Sequence, residues 1–469
     1  MNLSLQDPFA VAKEYPETLV NTFQYGHSVI IQFNHKGDYL ASGLSDGSII
    51  IYDMISNGGV VAHLNEDCHI RPITSLSWSK CGRYLLTSSQ DWYVKLWDLS
   101  RINGGNDYKD EEKEFGENES DIGKEFSPVI RSIKFDGPIW MASMHPIDHF
   151  KFTASLFDDS PVFVDMTDHQ NIQITKLQTM SLSEQQELET EDKNEENEEE
   201  EEEEANVKRR KRTDKHMTLV STFNPNDGNY IFTGTSKGWL NIIQTSSLKT
   251  VHSIKLTNSN IKNVVISSNG RKLAINSSDR IIRQISLPDL INEQDPENWE
   301  FEIDHKYQDM INKLQWNSVA FNHNADFLVA STYGHSSHDL YVWETSIGSL
   351  IKILEGSNEE LVDVKWDYSR CCIGSTGIDS GSIYIWSIQF PQKWSALAPD
   401  FVEIEENIEY EEKEDEFDII NEDTLKRRQE EEEDLLVDVI TREKDDARGF
   451  DITQPSFIIP INYENQLFI

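Results

Sequence analysis

The sequence predicts an all-β fold, a seven-bladed β-propeller followed by an extended or disordered acidic C-terminal tail. Three observations carry that expectation: a residue spacing that recurs along the chain, short alternating apolar stretches around turn residues inside each copy, and an abrupt end of both after Trp386.

The spacing begins at an aromatic or aliphatic residue and ends at a second one. Phe33, Gly37, Asp46 and Tyr52 set the pattern; Trp78, Gly82, Asp91 and Trp97 repeat it, and so do Ile266, Gly270, Asp279 and Ile285. Four looser copies run from Met144 to Val164, Phe223 to Ile243, Phe321 to Trp343 and Trp366 to Trp386, which makes seven. Each copy reads as two short strands about a turn. In the first, Leu40, Ser42, Ile49 and Ile51 are expected on one face, with Asp46-Gly47 closing the hairpin. A single piece of sheet would expose that face and an unpaired edge, whereas seven pieces around an axis bury the faces against their neighbours. Trp78, Trp97, Trp343, Trp366 and Trp386 sit in register within the copies and are expected in the blade packing, not in a methyl-lysine cage. The copies resemble WD40 repeats, most clearly in LLTSSQDWYVKLWDLS with Trp97-Asp98, and more weakly at Tyr52-Asp53 and Trp343-Glu344.

The boundaries follow: an N-terminal arm over 1–26, the propeller over 27–392 and the tail over 393–469. Two charged, non-periodic insertions, 101–126 and 180–213, map onto loops. The formal charge of −41 is concentrated: Asp107–Glu125, Glu184–Glu204 and Asp400–Glu464 carry −6, −13 and −17, leaving a body of about −5. Acidic appendages of this kind act as solvating tracts or meet basic partners such as histones. Directly after the glutamate tract stands Lys208-Arg209-Arg210-Lys211-Arg212. It reads either as a nuclear-import or nucleic-acid signal or as a charge-compensating loop.

Cys68, Cys81, Cys371 and Cys372 show no CxxC pair or metal-ligand spacing, which points to a reducing compartment and no structural zinc. No stretch approaches the roughly 20 apolar residues that span a bilayer, so no membrane association is expected. HExxH, GxSxG, P-loop and GxGxxG-after-strand patterns are missing, so neither enzymatic activity, nor a cofactor, nor a small-molecule substrate is expected. Gly26-His27 and Asp46 invite a catalytic reading, but in WD40-like repeats the turn aspartate braces such a histidine. Over 237–283, within blades four and five, Lys237, Lys249, Lys255, Lys262, Arg271, Lys272, Arg280 and Arg283 stand against Asp279 alone. Lys249, Lys262, Arg271, Lys272, Arg280 and Arg283 are taken as a basic stripe that would attract a phosphate backbone, such as that of a nucleosome, or an acidic protein face, unless alternation sends the charges in different directions.

In the tail the acids are interrupted by Trp394, Phe401, Ile404, Ile408, Tyr410 and Phe417, anchors suited to folding on binding. A second apolar cluster, Leu435 to Ile440, reads as a short helix or an added strand. The chain resembles the retinoblastoma-binding protein 5 family, a WD-repeat subunit of COMPASS and MLL-type histone H3 lysine-4 methyltransferases. MNLSL at the start, SSDRIIR at 277–283, YVWETSIGSLIKILEG at 341–356, WSALAPDF at 394–401 and ENIEYEEKEDEFDI at 406–419 carry the resemblance. It implies a nuclear, non-catalytic scaffold with three docking segments. Trp394, Ser395, Ala398, Pro399, Asp400 and Phe401 would contact the SET-domain catalytic subunit. Glu409, Tyr410, Glu411, Glu412, Glu416, Phe417 and Asp418 would bind the SPRY domain of an Ash2-type subunit. Val437, Asp438 and Val439 would dock a second WD-repeat subunit, although the flanking residues depart from the family's motif. The rival reading is an acidic histone chaperone on a propeller platform.

Overall fold

The computed structural model describes residues 15–104, 127–177, 217–388, 426 and 457–460, apart from loop positions 158, 169–170, 289, 291–298, 310–312, 335–339, 358 and 368–370. They form 28 strands in seven four-stranded antiparallel sheets. Each of the first six blades takes four consecutive strands from the axis outward, here strands a to d.

Blade 1 holds β2 (Ser28–Phe33), β3 (Tyr39–Leu44), β4 (Ile49–Asp53) and β5 (Gly59–Leu64); blade 2 holds β6 (Ile73–Trp78), β7 (Tyr84–Ser89), β8 (Tyr93–Asp98) and β9 (Val129–Lys134). Blade 3 runs through β10 (Ile139–Met144), β11 (Lys151–Leu156), β12 (Val162–Asp165) and β13 (Gln173–Lys176). Blade 4 has β14 (Thr218–Phe223), β15 (Tyr230–Thr235), β16 (Trp239–Gln244) and β17 (Thr250–Lys255). β18 (Ile261–Ile266), β19 (Lys272–Ser277), β20 (Ile282–Ser286) and β21 (Glu302–Tyr307) make blade 5; β22 (Trp316–Phe321), β23 (Phe327–Thr332), β24 (Leu340–Glu344) and β25 (Leu350–Leu354) make blade 6. In blade 7, β26 (Leu361–Trp366), β27 (Cys372–Gly377) and β28 (Ile383–Ser387) are joined by β1 (Thr18–Phe23), drawn from the other end of the chain.

The seven copies read from the sequence therefore each cover the end of strand a, strand b and strand c. Strand d was the part the spacing did not mark. β1 also moves the start of the propeller: residues 18–23, assigned to an arm, are the outer strand that closes the ring.

One detail of register is corrected. Leu40 pairs with Tyr52 and Ser42 with Ile50, so Ile50 and Tyr52 share the face of Leu40, while Ile49 and Ile51 share that of Ala41. The connection is a three-residue loop, Ser45-Asp46-Gly47, closed by the Leu44 amide donating to the Ser48 carbonyl at 3.0 Å. One residue more than a two-residue hairpin shifts the parity of every later side chain. Both faces are buried regardless. Leu40, Ile50 and Tyr52 pack with Ile31 and Phe33, and Ala41, Ile49 and Ile51 pack with Ile73 and Trp97 in the next blade. The tryptophans Trp78, Trp97, Trp343, Trp366 and Trp386 are all buried.

Between blades the packing leaves no room for side chains at certain points. A Cβ on Gly43 would lie 2.9 Å from the Ile73 side chain, which explains glycine in the middle of a strand. Polar stitches complete the joints. The Ala142 amide donates to Ser75 Oγ at 2.8 Å between blades 3 and 2. Asp363 links three blades, accepting from Ser318 Oγ at 3.0 Å and from the Ile31 amide at 3.2 Å. Buried polar groups matched in this way fix one arrangement of the ring.

Candidate partner-binding surfaces

Strand direction sorts the loops. Turns between strands b and c, and the links from d to the next a, lie at one end of the ring; the a–b turns and c–d links lie at the other.

At the b–c end, the bracing histidine is His69, not His27. His69 Nδ1 lies 2.9 Å from Asp91 Oδ2 and Nε2 lies 2.8 Å from Thr87 Oγ1, which accepts from Trp97 Nε1 at 2.9 Å. This buried chain ties the d–a link to strands b and c of blade 2, and it has no access to a substrate. His27 instead reaches the Ile378 carbonyl of blade 7 at 3.2 Å, and Asp46 accepts from the Ser48 amide and hydroxyl at 2.9 and 2.7 Å.

The basic stripe is divided by the same sorting. Arg283 is buried on β20, its Nη2 2.5 Å from Asp279 Oδ2 and its Nη1 2.8 Å from Ser277 Oγ. Lys272 donates to the Ala325 carbonyl at 3.0 Å and to Thr345 Oγ1 at 2.9 Å. These two cations are hydrogen-bonded within the ring itself, Arg283 buried and Lys272 partly so, and are not presented to a partner as the stripe required. Lys262 is half-buried, its Nζ 5.8 Å from the Tyr333 ring centroid, and burial pushes its ammonium pKa down. Lys249, Arg271 and Arg280 are exposed. Lys249 and Arg271 lie at the a–b end, whereas Arg280 and Lys262 lie at the b–c end.

The apolar character of the b–c end leaves no mark in the repeat spacing. Ile70, Trp92, Trp140, Phe157, Tyr333 and Ile378 are exposed there, with Trp140 and Phe157 6.1 Å apart. Arg280 and Lys262 lie at the same end, Lys262 beside Tyr333. Exposed apolar side chains and cations at one end of the ring are residue types suited to meeting a partner. These residues come from different blades, so no spacing within one repeat could have marked them.

The tail positions Trp394–Phe401, Glu409–Asp418 and Val437–Val439 lie outside the described residues, as do most of the two acidic insertions and the Lys208–Arg212 run. Among the described residues, no group of three His, Cys, Asp or Glu side chains is arranged to hold a metal ion, and no helix is long and apolar enough to cross a membrane.

A closed ring of seven sheets with a histidine–aspartate brace and a Trp-Asp strand end defines the class: a WD-repeat propeller, a platform that presents loops at two ends. The family model described as WD domain, G-beta repeat matches residues 17–53 and 61–98. COMPASS component SWD1 of Saccharomyces cerevisiae is 41% identical over 471 residues, covering 99% of this chain and 98% of the relative. Set1 complex component swd1 of Schizosaccharomyces pombe is 40% identical over 450 residues, covering 96% and 98%. Among solved structures, the β-propeller domain of Cps50 (Swd1) from Myceliophteria thermophila matches with a TM-score of 0.65 and 34% identity, covering 79% of this chain and 100% of that one. The chain belongs to the Swd1 and retinoblastoma-binding protein 5 family of WD-repeat proteins.

Proposed function

We propose that the chain is the non-catalytic scaffold and activating subunit of a nuclear histone H3 lysine-4 methyltransferase complex. The observation that carries this reading is 41% identity to a protein named as a COMPASS component, over 99% of the chain, so that the match includes the tail and not the propeller alone. A shared ring would explain likeness in the blades. It places no demand on an acidic tail, where likeness points to shared partners.

In this reading the tail does the activating. Trp394 to Phe401 contacts the SET-domain subunit, Glu409 to Asp418 binds the Ash2-type subunit, and Val437 to Val439 docks the second WD-repeat subunit. The propeller orients the assembly on the nucleosome through the exposed cations of its a–b end, Lys249 and Arg271, while Arg280 stands at the other end. A subunit of this kind changes a population: favouring one state of a mobile SET domain by about 1 to 3 kcal/mol raises that state roughly five- to 150-fold if it was rare.

The test is reconstitution with a Set1-type catalytic subunit, an Ash2-type subunit and a second WD-repeat subunit, scored by methylation of histone H3 lysine 4. Stimulation that is lost when residues 390–440 are deleted supports the reading. Equal methylation with and without this chain overturns it, as does methyl transfer by the chain alone.

A further inference from the structure

Far beyond the last blade, Phe457 to Pro460 returns to the propeller. Ile459 is fully buried, in the same apolar cluster as Ile51, Trp97, Leu99 and Ile102, and Phe457 packs at its edge. Ile458 between them is 74% exposed. In, out, in along three residues is the pattern of an extended peptide with alternate side chains anchored. The Ile459 amide points to the Tyr39 hydroxyl at 3.4 Å, and Phe457 Cβ comes close to Gly82, where even a methyl group would sit 3.9 Å away.

The groove is built from two blades. Tyr39 begins β3 in blade 1, while Leu99 and Ile102 come from the short 3-10 helix, Leu99–Gly104, that follows β8 in blade 2. Asp98 shapes that turn. Its buried carboxylate accepts from Arg83 Nε and Nη2 at 2.9 and 2.7 Å, and from the Ser100 amide and hydroxyl at 3.0 and 2.7 Å. The aspartate of the Trp97-Asp98 dipeptide thus holds Leu99 and Ile102 where Ile459 meets them.

The tail also leaves from this end. Ser387, the last residue of β28, pairs with Cys372, the first of β27, and blade 7 adjoins blade 1: Gly37 in the a–b turn of blade 1 lies against Asp367 in that of blade 7.

We propose that the seam between blades 1 and 2 is a peptide-recognition groove for an extended Phe-x-Ile-Pro segment, occupied in cis by Phe457–Pro460. This latch closes the 68 residues from 389 to 456 into a loop anchored on the propeller at both ends. A covalent connection holds such a segment at an effective concentration on the order of millimolar, so even a weak contact stays occupied.

The test uses the full chain and a labelled peptide of residues 453–462, followed by fluorescence anisotropy. The peptide is expected to bind the Ile459→Asp chain, and to bind the wild-type chain at least about tenfold more weakly, because the groove is taken. Peptide carrying Ile459→Ala should lose about 30-fold or more in affinity, the usual cost of deleting a buried isoleucine side chain. Peptide carrying Ile458→Ala should bind within about twofold of the parent, since that side chain faces solvent. An Ile459→Ala chain repeats the measurement without an added charge. Equal binding to wild-type and Ile459→Asp chains overturns the proposal, and so does binding to neither. A wild-type chain that dimerises with concentration, and is made monomeric by Ile459→Asp, overturns docking in cis in favour of exchange between copies.

Discussion

Replacing Arg283 by methionine separates a cation that braces the ring from one that meets a partner. Methionine keeps much of the length and apolar stem but removes both donors, leaving Asp279 with the Ser277 hydroxyl, the Ile281 amide at 3.2 Å and the Thr257 hydroxyl at 3.1 Å. Removing one member of a buried ion pair costs about 3 to 5 kcal/mol. Asp279 keeps 23% side-chain exposure, so water recovers part of that, and a loss of about 2 kcal/mol is expected. The loss depends on pH. Burial works to raise the Asp279 pKa, but the Arg283 guanidinium and the Ser277 hydroxyl outweigh it and hold the carboxyl below its ordinary value. A lowered folded-state pKa gives stability that is complete above the ordinary carboxylate value of about 3.9 and is lost as pH falls through the folded one. Wild type and Arg283→Met should therefore differ fully in urea unfolding at pH 7, and the difference should shrink progressively as pH falls below about 3.9. A deficit under about 0.5 kcal/mol at pH 7, or one that does not shrink below about pH 3.9, would refute the reasoning.

Three further outcomes follow from features described above. Arg271→Glu should leave urea unfolding unchanged within about 0.5 kcal/mol, because the side chain is exposed, yet weaken nucleosome binding more at low salt than at high salt; equal binding across a salt series counts against a nucleosomal role. Asp98→Ala removes the carboxylate that Arg83 and Ser100 both donate to and unties the turn after β8, so a loss of about 2 kcal/mol in the same unfolding assay is expected, and a loss under about 0.5 would show that the turn holds itself. In the tail, Tyr410→Ala or Phe417→Ala should speed dissociation of the Ash2-type subunit, each costing about 2 to 4 kcal/mol, whereas Glu411→Gln with Glu412→Gln should mainly slow association. Surface-immobilised kinetics distinguish the two, and the opposite assignment would make the tail an electrostatic tether.

What could be read in the sequence was local, and what could not was relational. The a–b turn glycines, the b–c turn aspartates and the strand c aromatics recur because each blade repeats the same bends, so spacing revealed seven units. β1 carries no such mark: it pairs with β28 across the whole chain, and nothing in Thr18–Phe23 announces a partner 360 or so residues away. His69 was passed over in favour of His27 for a similar reason. Both precede a strand a and both have a turn aspartate downstream, but the d–a link of blade 2 carries His69 over Asp91, while that of blade 1 turns His27 toward blade 7. Arg283 looked like one more surface cation because the sequence does not reveal that its neighbour across the turn, Asp279, shares its interior site. The docking segments of the tail were legible only through family resemblance and apolar anchors, since an interface exists in the pair and not in one chain.

Ring closure by β1 sets an order on synthesis. Within the propeller β1 is the first strand to be made, and its partner β28 is the last. At about 5 to 20 residues per second, the roughly 360 residues between them take roughly 20 to 70 s to make. For that interval blades 1 to 6 can stack but the circle stays open, and the β1 backbone, with apolar Leu19 and Phe23, has no mate within its own chain. A nascent chain of this architecture therefore carries an unpaired strand through the synthesis of blades 1 to 6, and residues 18–23 are the edge that waits longest among the described strands for its mate.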